Sequence, residues 1–427
     1  MTRAAVAAVS CPSCGAGLAV LGGGRVIMQI CGFCGTALDA IENYAALRKF
    51  ANMIRPDTPF SIGMTGQIIG QDWTVIGILA SAEYAGERAW TWIDHLLYSV
   101  THGYIWMTLE NGHLILTRRY RGPVSPGWIS MDQVEAAETP PMAQAAGETF
   151  KYYETSTSRI TFAEGEFTWR VAIGAETTAV SLLSDSAMIS YVVSDAEREV
   201  ERSVYLPQAE TFAAFKATPT TPYRTHPLQP FVAGPQSGFL AWLGGAGAAV
   251  CGVLTLVFAG MSGSTILPLT EIARSSLPQE LTLPIDTTTG LAVITLGADV
   301  TNAWALLEVT LSDPDGLPVF ATGREVSYYS GYDDGAWSEG SPQTRIRFRP
   351  DQIGDYNLEL DVPEGGTGET AGTVPISRLT VSATNGGASP LWTLMAAIGF
   401  LGLAAYHLAR PFLHNRARWY GTDWTED

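Results

Sequence analysis

Apolar residues along this chain follow two patterns: short runs that alternate with polar positions, and two long stretches with no alternation. Within residues 59 to 206 the short runs are rich in β-branched and aromatic residues. Examples are Trp73-Thr74-Val75-Ile76-Gly77-Ile78-Leu79, Tyr104-Ile105-Trp106-Met107-Thr108-Leu109 and His113-Leu114-Ile115-Leu116-Thr117, the last two joined by Glu110-Asn111-Gly112. Strand-like runs broken by glycine-containing turns are the mark of hairpins, so an all-β sandwich or barrel is expected here. Trp73-Thr74-Val75 is echoed by Trp169-Arg170-Val171, which raises the prospect of a repeated β unit. Asp195 to Tyr205 and Ala209 to Lys216 have a more helical composition. A second alternating region covers Leu291 to Val300, Ala303 to Ser312, Val319 to Tyr329, Thr344 to Phe348, Tyr356 to Val362 and Ile376 to Ala383. In Arg345-Ile346-Arg347-Phe348-Arg349 the period is two, and the set predicts a β-sandwich.

The two long stretches are Gly238 to Met261 and Leu391 to Ala409, neither holding a charged residue. The first matches the roughly 20 residues that cross about 30 Å of hydrocarbon, and the second sits between Pro390 and Trp392 on one side and His407, Arg410, Arg416, Arg418 and Trp419 on the other. Both are predicted to be transmembrane helices. Lys216 and Arg224 precede the first and three arginines follow the second, whereas only Arg274 and Arg378 flank the intervening segment. The excess of basic residues predicts that both termini are cytoplasmic. Gly244, Ala248 and Gly252 recur every four residues on the first span, a spacing that favours close helix–helix packing.

These patterns divide the chain. Residues 1–45 form an N-terminal module, 55–216 a cytoplasmic β domain, 217–237 a linker, 238–261 the first span, 265–388 an extracytoplasmic β-sandwich, 390–409 the second span and 410–427 a cytoplasmic tail. The linker holds Pro219, Pro222, Pro227, Pro230 and Pro235, a density that neither helix nor central strand tolerates.

Charge narrows the partners. The 427 residues carry a formal net charge of -17, with 16 Lys/Arg against 22 Asp/Glu before the first span and 6 against 17 in the outer segment. Nucleic-acid binders gain affinity by releasing counterions from phosphates, and this chain lacks the basic surface to do so. The partners expected are the membrane and other proteins. The start, Met1-Thr2-Arg3 followed by Ala4 to Val9, imitates a leader, but its apolar run is too short for one.

Four of the five cysteines make the strongest motif. Cys11-Pro12-Ser13-Cys14 and Cys31-Gly32-Phe33-Cys34 lie sixteen residues apart, a Cys₄ zinc-ribbon spacing. Two thiolates on a tight turn reach one ion at about 2.3 Å and the second pair completes the tetrahedron. Gly15 and Gly35 follow each pair and let the backbone fold around sulfur. With four protein ligands a Zn2+ ion has no open position, so its role is structural, with iron or thiol redox sensing as competitors. Trp90, Trp92, Asp94, His95 and Tyr98 cluster before a strand-like run, with His102 and His113 following, as a candidate pocket. In the outer segment Tyr328 to Gly340 gathers aromatics, glycines, Asp333, Asp334 and Glu339, a loop that suits a cation or a partner. No HExxH, GxSxG, P-loop or GxGxxG fingerprint occurs.

The Cys₄ ribbon, the Trp73 to Gly77 strand, Trp92-x-Asp94-x-x-Leu97, Gly103-Tyr104-Ile105-Trp106 and Gly165-Glu166-Phe167-Thr168-Trp169 together resemble the bacterial DUF4178 family over about residues 11 to 215. That family has no established activity, so the resemblance transfers no catalytic residue. The modular layout predicts a membrane adaptor or scaffold that couples partners on the two faces. The alternative is a ligand-sensing or enzymatic β domain with its pocket near Trp92, Asp94 and His95.

Overall fold

A computed structural model describes residues 7–51, 53–86, 88–194, 197–333, 335–367, 370–372 and 374–424. Met1 to Val6 of the leader-like start, Asp195 and Asp334 lie outside these residues. The chain divides into two units, Met1–Ala233 with Arg410–Asp427, and Gly234–Ala409.

In the first unit the ribbon contributes strands β1 (Ala7–Ser10), β2 (Gly17–Val20), β3 (Met28–Ile30), β4 (Thr36–Asp39) and β5 (Ala45–Lys49). After them come β6 (Thr65–Ile68), β7 (Gln71–Ala85), β8 (Arg88–Ser99), β9 (Gly103–Glu110), β10 (His113–Arg119), β11 (Val124–Ser125), helix α1 (Met131–Glu135), β12 (Met142–Ala145), β13 (Glu148–Phe167), β14 (Glu176–Leu183), β15 (Met188–Ser194), β16 (Glu197–Tyr205) and helix α2 (Gln208–Phe215). The order β13-β14-β15-β16-β10-β9-β8-β7 closes when β13 also pairs with β7, giving an eight-stranded barrel in which all neighbours are antiparallel. The β9–β10 hairpin turns at Asn111 and Gly112, both at positive φ, as a two-residue turn matched to strand twist requires. The expected helix at Asp195 to Tyr205 is instead β16: alternation of Val200, Arg202 and Val204 with polar neighbours, and pairing on both edges, outweighs its charged composition. Ala209 to Lys216 does lie in helix, within α2. Trp169 lies beyond the end of β13, so its echo of Trp73 marks no repeated strand.

One face of the barrel wall is apolar and covered. Over β7 to β10, Val75, Ile78, Leu97, Met107 and Leu114 pack under Phe60 and the α2 residues Phe212 and Phe215. Over β13 to β15, Phe150, Val180, Leu182, Ile189 and Tyr191 pack under Val134 of α1 and Ala143 and Ala145 of β12. Each fully buried side chain of this size contributes about 1.5–3 kcal/mol, so the wall is stabilised from outside and its inner face is free to be polar.

The second unit contains α3 (Ser237–Gly260), β17 (Ser264–Ala273), β18 (Gln279–Ile285), β19 (Leu291–Ala298), β20 (Ala303–Ser312), β21 (Pro318–Tyr332), β22 (Ala336–Ser341), β23 (Gln343–Phe348), β24 (Gly354–Thr367), β25 (Thr370–Ala371) and β26 (Arg378–Gly387), and helix α4 (Leu391–Arg418) as far as Ala409. A four-stranded and a six-stranded sheet share one core of Leu283, Ile294, Leu296, Leu307, Leu311, Leu358 and Val381. The stretch Tyr328 to Gly340 lies in a hairpin of β21 and β22, with Tyr329 opposite Glu339 and Tyr332 opposite Ala336. Glu339 lies on β22, and Asp333 at the turn donates its N–H to the Gly335 carbonyl at 3.0 Å.

Helices α3 and α4 are long and apolar enough to cross a membrane, and about 6% of each hydrophobic window is buried. They pack together at Gly244, where an added Cβ would stand 2.6 Å from the Ala404 nitrogen, and at Gly247, 2.7 Å from the Phe400 ring. Gly252 faces open space, so of the Gly244–Ala248–Gly252 row it is Gly244, joined by Gly247, that meets α4, and Thr255 Oγ1 hydrogen-bonds Thr393 at 3.0 Å further along. Helix α4 also runs on through Pro411 to Arg418, so the first nine residues expected as tail are helical.

Barrel closure imposes a tight backbone contact. Gly77 of β7 opposes Gly165 of β13; a Cβ on Gly77 would lie 2.7 Å from the Glu166 carbonyl oxygen. Gly77→Ala is expected to destabilise the unit by about 1–3 kcal/mol, since backbone must move to admit the methyl group. Thermal unfolding checks this, and an unchanged midpoint would show that the seam yields.

Candidate functional site

Two parts of the first unit gather chemistry. In the ribbon, each Cys-x-x-Cys-Gly sits at a hairpin turn, the first between β1 and β2 and the second between β3 and β4. The two turns repeat one pattern: Cys11 N–H donates to the Ala16 carbonyl and Gly15 N–H to that of Cys11, at 2.8 Å each. Cys31 N–H donates to Thr36 at 2.9 Å and Gly35 N–H to Cys31 at 2.8 Å. Gly15 and Gly35 adopt φ of 76° and 72°, which side chains disfavour. The four sulfurs lie within 4.8 Å of one another, with Sγ–Sγ separations of 3.8 Å for Cys11–Cys34 and 3.7 Å for Cys14–Cys31. A tetrahedron with zinc–sulfur bonds of about 2.3 Å has edges of about 3.8 Å, so this donor set fits a metal ion. Burial pushes the Cys31 thiol up to about 12, which a bound cation would reverse.

The barrel grips this ribbon through β13. Gly165 to Phe167 pair with β3, and Glu166 accepts hydrogen bonds from the Leu21 and Gly22 N–H groups at 2.8 and 2.6 Å. Glu164, with a side chain 3% exposed, pairs with Arg55 at 2.7 Å beneath Gly32 of the second cysteine turn. Apolar residues complete the joint, with Met28, Ile30 and Phe167 packed against Leu79 and Leu96.

The other part is the barrel's interior. A cavity of about 710 Å³ is lined by Trp90, Thr108, Glu110, His113, Ile115, Thr117, Tyr153, Glu154, Met188 and Ser203 from six strands. Positions 108 and 110, and 113, 115 and 117, alternate with the covered apolar residues, so they share the inner face. A bulge between Tyr152 and Glu154 brings both Tyr153 and Glu154 to the cavity. Its mouth is occupied by the linker, through Arg224 to Leu228, and by Leu413, Arg416, Ala417, Tyr420 and Gly421.

Hydrogen bonds fix the histidines there. His113 Nε2–H donates to the Arg224 carbonyl at 2.8 Å, so Nδ1 accepts from the Tyr205 hydroxyl, also at 2.8 Å. His226 Nδ1 accepts from Leu228 N–H at 3.0 Å, which leaves Nε2–H directed at Glu110 at 3.4 Å. Burial alone would raise Glu110, but the hydrogen bond and charge of His226 and the charge of His113 outweigh it and hold the carboxyl below its usual range. Both His226 nitrogens are engaged, so the pair lacks the free nitrogen that a general base needs.

Glu154 is the opposite case. Its carboxylate makes no hydrogen bond or ion pair among the described residues; enclosure, with the charges of Glu110, Glu83 and Asp423, pushes it up to about 8. Burial likewise takes Glu201 to about 7 and Asp94 to about 6, the latter despite a 2.6 Å hydrogen bond from Thr108.

The structure separates the candidate pocket residues. Asp94, opposite Thr108, shares the inner face with Trp90 and Trp92. His95 points the other way, fully buried between Phe60, Thr58 and the Met107 carbonyl, and burial lowers it to about 4. His102 is exposed near Trp73, while His113 joins the cavity. Glu110, Glu154, His226, Arg416 and Tyr420 escaped sequence reasoning because they come from segments up to 310 positions apart.

Two outcomes follow. Purified protein is expected to carry one zinc per chain, and Cys31→Ser to lose it and raise amide exchange across 7–49 while β8 to β10 stay protected; equal protection without metal would refute a structural ion. Glu154→Gln is expected to melt above the parent. A carboxyl whose folded value lies above its unfolded one costs stability increasingly as pH rises between the two, so the gap should be near zero at pH 4.5 and full above about 8. Each kcal/mol relieved is worth about 2–4 °C, and a gap independent of pH would show Glu154 to be solvated.

No curated protein matches the chain. Among solved structures, the infectious bursal disease virus Gx strain is 11% identical, covering 90% of this chain and 71% of its own, at a TM-score of 0.15. A Bombyx mori β-fructofuranosidase in complex with sucrose is 10% identical over 73% and 92%, at 0.16. A Phanerochaete chrysosporium exo-β-1,3-galactanase is 8% identical over 68% and 78%, at 0.14. At these scores the likenesses carry no argument. Residues 61–208, which hold every strand of the barrel, match a family described as Domain of unknown function (DUF4178), so the barrel is a DUF4178 domain.

Proposed function

We propose that this is an adaptor of the bacterial inner membrane whose cytoplasmic barrel senses a small ligand and passes its occupancy to the two spans. The four cysteines hold a structural Zn2+ that folds the ribbon onto the barrel. Helices α3 and α4 cross the bilayer, residues before α3 and after Ala409 lie in the cytoplasm, and the two-sheet domain between them is an extracytoplasmic β-sandwich open to protein partners. The basic residues Lys216, Arg224, Arg410, Arg416 and Arg418 support that orientation.

A single observation carries the sensing reading: the cavity is lined at once by the barrel, by the linker that leads into α3 and by the end of α4. A ligand in the barrel therefore touches the segments that continue into both apolar helices. The joint is built for this. Arg418, 6% exposed, donates through Nη2 to the Ser184 carbonyl at 2.7 Å and through Nε to that of Pro227. His414 Nε2 donates to Gln229 at 2.9 Å, Thr422 Oγ1 to Tyr153 at 2.7 Å, and Asp423 accepts from Thr155 N–H and the Tyr152 hydroxyl.

Arg418→Ala is expected to release this end of the chain, since two buried carbonyls lose a charged donor at a cost of about 1–3 kcal/mol. In inside-out membrane vesicles trypsin should cut after Arg416 far faster in the variant, while intact spheroplasts protect this site. Cleavage from the outside would overturn the orientation, and unchanged resistance would overturn the role of the clamp.

A further inference from the structure

We propose that the barrel cavity binds an organic ammonium ion, its charge held between Glu154 and Glu110 and its apolar body against Trp90, Tyr153, Met188 and Tyr420. This gives a chemistry to the ligand of the sensing reading and rests on it. Beyond Glu110, which faces His226, the barrel wall carries carboxylates with no counter-charge. Glu154 has no partner, and no cation acts on it among the charges that shift it. On the same face burial raises Glu201, with the charges of Glu199 and Asp94 adding to it, and burial raises Asp94, with the charge of Glu110 adding to it. The cations of the wall, Arg224 and Arg416, stand at the mouth; Arg224 stacks on Tyr223 at 4.9 Å, and Arg119 is spent on Glu199 at 2.9 Å. An enclosed, uncompensated carboxylate is costly, and a positive ligand is what would offset it.

Two further observations choose the kind of cation. Among the described residues, the cysteine cluster alone brings three or more metal-ligating side chains together, so the lumen offers no convergent set for a divalent ion. Its volume of about 710 Å³ instead suits a molecule of several heavy atoms. Aromatic rings of Trp90, Tyr153 and Tyr420 supply faces that attract ammonium groups, while Ile115, Met188, Leu228 and Leu413 supply apolar surface for a carbon skeleton.

Calorimetric titration of the full chain in detergent with butylammonium, phenethylammonium and choline, beside 1-butanol, 2-phenylethanol and Ca2+, tests this. At least one ammonium ion is expected to bind saturably, about tenfold or more tighter than its neutral alcohol and about tenfold or more weaker to Glu154→Gln, as a charged hydrogen bond implies. Affinity should fall as pH drops through about 8, where Glu154 takes up its proton in the free protein. Melting curves establish that Glu154→Gln is folded, and Glu110→Gln serves as the second variant. Absence of binding by all three ions, equal binding of the alcohols, indifference to both substitutions, or tighter binding of Ca2+ would each overturn the proposal. Tryptic cleavage at Arg416 with and without the bound ion separates the two readings: binding with no change in cleavage overturns the coupling and leaves the ligand class standing.

Discussion

The pairing of β13 with four different partners is the constraint on which the N-terminal unit rests. Its twenty residues run against β12 and β14 at one end, against β7 in the middle and against β3 at the other. Barrel closure and ribbon docking are thus one event, because the stretch that completes the barrel at Gly165 also presents Glu164 and Glu166 to the ribbon. The same strand carries the bulge that turns Tyr153 and Glu154 inward. Such a strand cannot shift register by one residue without exchanging its apolar and polar faces, so the ribbon, the wall and the cavity are fixed together.

That fixed wall makes the acidic interior affordable. Apolar packing covers the outer face, under α2 and under α1 with β12, and inside the barrel it is gathered at one end around Leu79, Leu96 and Phe167, where a barrel of this size could place filling side chains throughout. Glu110 is compensated by His226, but Glu154 is not, and the difference sorts the two carboxylates by role. A compensated group holds the mouth together by tying the wall to the linker. An uncompensated group costs stability at neutral pH, which a folded protein tolerates where binding returns the loss.

Much of this was legible in the chain. Cys11, Cys14, Cys31 and Cys34 were readable because metal coordination demands close spacing, which local sequence records. The strands of β7, β9 and β10 were readable because one face is buried under α2 and the other is not. Strand β16 was misread because its inner-face residues Glu199, Glu201 and Ser203 are polar, and polarity in a lumen looks the same in sequence as polarity in water. The cavity was hidden for a related reason: its residues meet only after the barrel closes and two distant segments cover its mouth. His95 seemed to belong with Asp94 as its neighbour, yet adjacent strand positions point to opposite faces.

The placement of Arg418 has a kinetic consequence on the sensing reading. One end of the lumen is packed shut by Met28, Ile30 and Phe167 against Leu79 and Leu96, a joint held by the β3 pairing and by Glu166. Exchange of ligand must then pass the other end, where the linker and the last turns of α4 lie. Opening there breaks hydrogen bonds of a buried arginine but no strand pairing, so it is the cheaper path. Helix α4 is continuous from Leu391 to Arg418 apart from the missing donor at Pro411, where the i to i−4 bond to His407 is lost. Movement of the stopper is therefore movement of the helix end itself, and a ligand that holds the mouth closed acts directly on the segment that enters the second apolar stretch.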